Sequence, residues 1–482
     1  MDIVTFIIEK ISVPSYNVFT TKPMKGTDMT TQSIPQRYFD FSEPSSQKIV
    51  NEYRQKYQDI SNLLDNNPEL IRLAHQDWLQ LLSASKKGRK ATFTSENLVR
   101  ALIVKCIEQE SYRDAVIRIE DSEFLRHFVR LGHNTVMGYT LLSHAFSLLS
   151  IKTLAAMNQV LNAFAVAEEK ITPEKQRLDS TVYETNIHYP TDSSLLWDSF
   201  RTLSRLLSNL RNELSFLGIK HRFHDKKIKK LYTYINRNIS SKSKATQRKV
   251  NRHYRTLIDR VRWIHGVGEA ILAQIYRRGY DCQLLAHYLP LVERIVDQAD
   301  QRVLQGISLA ADEKLYSLFE EHTQLIIRGK AGKPVEFGHK ILLSQTGEKY
   351  IHHYEVLCQH CEDKDLLDPA VESYKNLFGK YPDLLATDKG FYENMKQIDR
   401  LEEDIATVSI AKKGKRTEQE YAREHTESFK AGQRFRAGSE GSISVLKRAF
   451  SLKCCFYKGF KNYAASVGLA VLCHNLVLLT RL

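Results

Sequence analysis

The sequence predicts an α/β domain preceded by a helical region and interrupted by a large, basic helical insertion. Three observations point there. Helical periodicity runs from 47 to 165, β-forming segments appear at 170–194 and again from 325 onward, and the stretch between them is helical and carries the excess positive charge. The divisions are a poorly defined segment 1–46, a helical region 47–165, an α/β domain built from 170–194 and 325–482, and an insertion 195–324.

Within 47–165, apolar residues from Gln47 to Leu82 recur at three and four in two runs separated by Pro68. The basic linker SASKKGRK follows. Thr94 or Ser95, Ser111 and Ser122 are placed to cap three short helices, a pattern consistent with a DNA-binding helix-turn-helix, although on pattern alone an ordinary helical bundle fits it better. Arg113, Arg118, Arg126 and Arg130 are its candidate base readers, and 90–165 is the fragment expected to bind DNA by itself. QRLDSTVYETNIHY has no helical period and reads as a strand. From Leu195 to about Glu320 the pattern is helical again. VEFGHKILLS and KYIHHYEVLC form a predicted hairpin, AVESYKNLFGKY a helix, DLLATDKGF a short buried strand ending at Asp388, and ATVSIAKK a further strand.

Charge narrows the function classes. The chain of 482 residues is 42% hydrophobic and 26% charged, which excludes disordered and fibrous classes. Its net charge is +14, and residues 201–278 hold 20 Lys and Arg against 4 acidic residues, or +16, leaving −2 for the rest. A run that holds the whole excess is a predicted polyanion-binding surface. Its candidate contacts are Lys226, Lys227, Lys229, Lys230, Arg248, Lys249 and Arg252, with Tyr232, Tyr234 and Tyr254 interleaved.

Seven irregularly spaced cysteines argue against a disulfide framework and for a reducing cytoplasm. The opening MDIVTFIIEKISVPS lacks the basic start and apolar length of an export signal, and Tyr463–Leu482 reads as a buried terminal helix in a protein without a membrane partner. Cys358 and Cys361 with His352, His353 and His360 make only a weak zinc pattern, and no phosphate-binding glycine loop supports ATP chemistry. Asp192 and Asp198 read as a turn and helix start.

Acidic residues at strand ends of an α/β sheet converge where reacting groups sit, and Asp179 and Asp388 both qualify. Asp388-Lys389-Gly390-Phe391 forms an Asp-x-Gly-aromatic element. Gln433, Arg436, Glu440 and Lys447 keep the spacing of a Tyr-x2-Arg-x3-Glu-x6-Lys signature, with Gln in place of Tyr. On these motifs, together with LDSTVYETNIHYPTDSSLL and the capped helices from Thr94, the chain resembles the insertion-sequence DDE transposases with an RNase H-like catalytic domain. The resemblance implies an enzyme of DNA transposition in which Asp179, Asp388 and Glu440 are catalytic and hold two Mg²⁺ ions, with Mn²⁺ as a substitute. It also implies Arg436 and Lys447 as phosphate contacts, DNA ends and target as partners, and a homodimer or higher oligomer on DNA in a bacterial, nucleoid-associated setting. A transposase-derived DNA-binding protein that does not cut, and an RNase H-like nuclease without strand transfer, remain the alternatives. The separation of 52 from Asp388 to Glu440 leaves little room for an insertion there, and the basic stretch lies instead between Asp179 and Asp388.

Overall fold

A computed structural model describes residues 44–79, 93–132, 135–330, 333–358 and 361–482. Almost all of 1–46, the SASKKGRK linker and His360 lie outside the described residues. The chain divides into two units, one containing Ile187–Phe337 and the other the described residues up to Asn186 together with Gly338–Leu482.

The second unit begins with seven helices: α1 (Lys48–Asn66), α2 (Glu69–Leu79), α3 (Ser95–Ile107), α4 (Tyr112–Asp121), α5 (Glu123–Val129), α6 (Tyr139–Leu148) and α7 (Ile151–Ala167). The capping residues act as their types dictate. Thr94 Oγ1 accepts the Asn97 N–H at 3.1 Å while Asn97 Oδ1 accepts the Thr94 N–H at 2.8 Å, and Ser111 and Ser122 cap α4 and α5. These helices do not stand apart from the rest of their unit. Tyr57, Trp78, Leu102 and Phe146 share one core with Leu343 and Ile351 of the sheet and with Val471 and Leu472 of the last helix, α16 (Gly459–Leu479). That helix is apolar on every side, so it is stable only when surrounded. It is long and apolar enough to cross a membrane, but it lies mostly buried in this core.

The sheet is built on β1 (Lys175–Thr185), where Leu178, Val182 and Tyr183 are buried. Beside it runs antiparallel β3 (Lys333–Gln345), with β4 (Ile351–Val356) antiparallel on its far side. On its other side lie parallel β5 (Leu384–Thr387) and then parallel β6 (Thr407–Ser409), and the two-residue β7 (Cys454–Cys455) joins the end of β1. The order β4-β3-β1-β5-β6 thus places a hairpin on one side of β1 and two parallel strands on the other. α12 (Leu367–Phe378) and α13 (Met395–Glu402) provide the crossover connections to β5 and β6, and with Leu178 and Leu342 they form a second small core. α14 (Glu418–Glu424) and α15 (Glu427–Ala449) follow β6, and α15 packs on the opposite face.

The Ile187–Phe337 unit is helical: α8 (Asp192–Glu213), α9 (Asp225–Asn238), α10 (Lys244–Arg277) and α11 (Gln283–Ala299), followed by β2 (Gln324–Lys330), which is hydrogen-bonded to β3. Helical structure ends at Leu304 rather than near Glu320, because Gly306 takes a left-handed conformation that closes the run. Asp192 opens α8, which Thr191 and Ser194 cap, and Asp198 lies in its second turn; they bond Arg302 and Arg201 respectively.

Candidate active site

Asp179 lies near the middle of β1 rather than at the strand end expected from the sequence, because β1 continues to Thr185; it is on the face covered by α15 and is 9% exposed. Its Oδ1 accepts the N–H of Ser180 at 2.8 Å and its Oδ2 accepts the hydroxyl of Ser439 at 2.6 Å. Asp388 follows the last residue of β5. Since Leu178 is registered with Thr387 on adjacent parallel strands, Asp179 and Asp388 are the next pair along, about 5 Å apart in backbone. Burial drives the pKa of Asp179 up, the neighbouring Asp388 charge adds to the rise, and Ser439, the Ser180 amide and Arg436 oppose it. Asp388 is fixed by its own turn: Oδ1 accepts the Gly390 N–H at 2.7 Å, and Phe391 is fully buried below. A side chain at Gly390 would run into the carboxylates of Asp388 and Asp363, so the glycine of the Asp-x-Gly-aromatic element is there for space.

Helix α15 supplies the rest. Gln433 takes the place of the signature tyrosine and donates to the carbonyl and hydroxyl of Ser409 at 2.7 and 3.0 Å and to the Thr387 carbonyl at 3.4 Å, which ties the helix to the ends of β5 and β6. Arg436 is half-buried near Asp179. Glu440 points outward with its side chain 72% exposed, 3.6 Å from Arg436. Lys447 is half-buried further along. Two of the three expected carboxylates are therefore brought together and the third is not. Among the described residues no group of three His, Cys, Asp or Glu side chains is gathered closely enough to hold a metal ion. The paired carboxylates fit a hard divalent cation, since both are oxygen donors and the Asp388 charge adds to the cost of ionising Asp179. Glu440 belongs to the turn that touches Asp179 through Ser439 but does not face the pair.

Sequence reasoning missed three groups here: Arg177, Ser439 and Asp363. Asp363 lies beside Gly390 and bonds Lys340 at 3.2 Å. Arg177 was detectable in principle, since it shares the inward face of β1 with Asp179. Ser439 and Asp363 give no signal without the register.

The proposed DNA contacts divide. Lys226, Lys227, Lys229 and Lys230 on α9, and Arg248, Lys249 and Arg252 on α10, are all exposed. The interleaved tyrosines are not a stacking platform: Tyr254 is buried in the bundle core, Tyr232 stacks on Trp197 at 6.1 Å, and Tyr234 packs on His253 and beneath Lys249. Helix periodicity explains this, because Tyr254 falls on the stripe of Val250, Leu257 and Val261. Of the four arginines proposed as base readers, Arg126 is buried and donates to the Gly132 and Thr135 carbonyls. Arg130 is held by Asp65 and Glu96, and Arg118 pairs with Glu108 and Glu110. Arg113 is exposed beside the Tyr139 ring. The cysteine–histidine pattern forms no zinc site among the described residues: His352 is buried with Nε2 bonded to Ser344 Oγ at 2.6 Å, and burial lowers its pKa to about 3.

Residues 400–480 match a family model described as a transposase DDE domain. The matched stretch contains Arg436, Glu440 and Lys447 and stops short of Asp388 and Asp179. It supports the resemblance to DDE transposases that the motifs carry. No curated protein and no solved structure matches the chain at a significant level.

Proposed function

We propose, from the premise that residues 400–480 are similar to a transposase DDE domain, that this protein is a DNA transposase with an RNase H-like catalytic unit. It cuts transposon ends by metal-dependent hydrolysis and joins the freed 3′-hydroxyl to target DNA. The observation that carries the reading is the placement of Asp179 on β1 and of Asp388 directly after the adjacent parallel strand β5 in a β4-β3-β1-β5-β6 sheet, with the matched helix packed on that face.

In this reading Asp179 and Asp388 would hold the divalent metal, Mg²⁺ or Mn²⁺, and Glu440, which points outward in this structure, would supply a third carboxylate only on turning toward them. Two bound ions would steady the attacking and leaving oxygens of an in-line displacement at phosphorus. Ser439 and the Ser180 amide orient Asp179 so that its lone pairs are fixed before substrate arrives. Arg436 and Lys447 meet phosphate oxygens of the transposon end, with Arg436 able to offer a planar fork. The exposed cations of α9 and α10, with Arg113, grip the DNA backbone.

A second reading, a transposase-derived DNA-binding protein that does not cut, draws on the outward position of Glu440. One experiment separates them. Asp179→Ala, Asp388→Ala and Glu440→Ala are each assayed for Mg²⁺-dependent nicking and for binding on the same DNA, a duplex that includes any inverted repeats found on either side of the gene. Loss of nicking with binding retained in all three supports the transposase. Wild-type protein that binds but never nicks supports the second reading, and a single variant that nicks at the wild-type rate removes that residue from the site.

A further inference from the structure

Two residues before Asp179, on the same face of β1, Arg177 is 3% exposed. Among the described residues, all the hydrogen-bond partners of its guanidinium are uncharged. Nε donates to Gln345 Oε1 at 2.9 Å, Nη1 to the Phe435 carbonyl at 3.2 Å and Nη2 to Ser442 Oγ at 3.5 Å, and the group lies 5.0 Å from the centre of the Phe435 ring. Positions 435, 438 and 442 form one stripe along α15. At 438 the chain has glycine, and a Cβ there would collide with Arg177 Nη1. The helix is thus notched to receive this one side chain.

Burying a guanidinium that bonds no carboxylate, with only the nearby Asp179 charge to offset it, is expensive, and an apolar residue would dock a helix on a sheet at lower cost. What the fork adds is direction. It engages three points on two elements at once, which no aliphatic side chain can do. Slipping α15 by one residue would shift it by about 1.5 Å and turn it by about 100°, moving Ser439 off Asp179.

We propose that Arg177 is a positioning residue of the reaction: it fixes the axial register of α15 on β1 and so holds Ser439 and Arg436 in place beside Asp179. The proposal rests on the metal-dependent reading above. Its test is Mn²⁺ binding to the full chain, measured by calorimetry and by the Mn²⁺ spin-resonance signal, on four proteins: wild type, Arg177→Lys, Gly438→Ala and the double variant. Circular dichroism and melting of each establish that it is folded. Lysine keeps the charge but loses the fork, and the alanine methyl displaces Nη1 while leaving every proposed ligand untouched. Each single change should weaken Mn²⁺ binding at least about 10-fold, in the range seen for residues that orient metal ligands. The double variant should bind no worse than Arg177→Lys alone, since both changes break the same interaction. Folded single variants that bind as tightly as wild type, or losses that multiply in the double variant, overturn the proposal. If Arg177→Lys fails to fold, Gly438→Ala decides. If neither folds, Arg177 is a core residue and the proposal falls. A wild-type protein that binds no Mn²⁺ overturns the metal-dependent reading itself, and this proposal with it.

Discussion

Replacing Ser439 by alanine removes one oxygen from a buried hydrogen bond of the candidate site. The serine is 1% exposed and donates to a carboxylate that is 9% exposed, at 2.6 Å. A hydrogen bond to an ionised group contributes about 1.5–3 kcal/mol, against about 0.5–1.5 for one between neutral groups. With Asp179 charged, Ser439→Ala should therefore cost about 1.5–3 kcal/mol of stability. Once Asp179 is protonated, the cost should fall by roughly 1 kcal/mol. The direction of the pH dependence follows from burial. Asp179 has a higher pKa folded than unfolded, so the folded chain binds more protons across that interval and the carboxylate's own contribution declines as pH rises through it. Ser439 opposes that rise, so its removal steepens the decline. Urea unfolding of both proteins, at pH 8 and at the lowest pH where the native state persists, measures the difference. A cost below about 0.5 kcal/mol at both pH values, or the same cost at both, would refute the account of Ser439 as a partner of charged Asp179.

Three further outcomes follow from other parts of the molecule. Changing Lys226, Lys227, Lys229 and Lys230 to glutamine should weaken DNA binding and reduce the slope of log affinity against log salt by up to about 3.6, at roughly 0.9 for each phosphate no longer neutralised; binding titrations over a salt series read this directly. Leu472→Ala, in the middle of buried α16, should cost about 2–5 kcal/mol and lower the melting temperature without altering the sheet's spectroscopic signature. His352, held to about 3 by burial, stays neutral where an unfolded histidine protonates near 6.5, so it should withdraw about 2 kcal/mol of stability between pH 8 and pH 5. His352→Gln should lose that component of the acid sensitivity, as measured by urea midpoints at the two pH values.

What the sequence made legible was local, and what it hid was register. The strand of Asp179 shows in QRLDSTVYET because β-formers crowd there without a helical period, and the caps at Thr94, Ser111 and Ser122 show because a hydroxyl in that position has one obvious task. That Asp179 meets Asp388 rather than another residue depends on a pairing across some two hundred positions, which no local pattern encodes. The arginines of the helical region show a different limit. Arg126 and Arg113 look alike in a string, yet one ends on carbonyls inside the unit and the other on the surface. The shared core also changes an experiment: a fragment 90–165 would leave behind α1, α2 and α16, which cover its apolar faces, so DNA recognition by these helices is better tested in the whole chain. Tyr254 is the opposite case, because its place on the stripe of Val250, Leu257 and Val261 is visible in the string even among the cations.

The pairing of β1 with β3 has a further consequence during synthesis. Glu184 is registered with Gly338, so the partner strand of β1 emerges 154 residues later (338 − 184). At about 5–20 residues per second this is a wait of roughly 8–30 s, long compared with the folding of a helical bundle. The intervening unit has a core of its own and can close while β1 waits. Once folded, it replaces a long flexible loop with a compact body, and the entropy of joining the two strands falls accordingly. Until then β1 presents two unpaired edges, and ribosome-bound chains stalled between about residues 190 and 330 are the species in which self-association should concentrate.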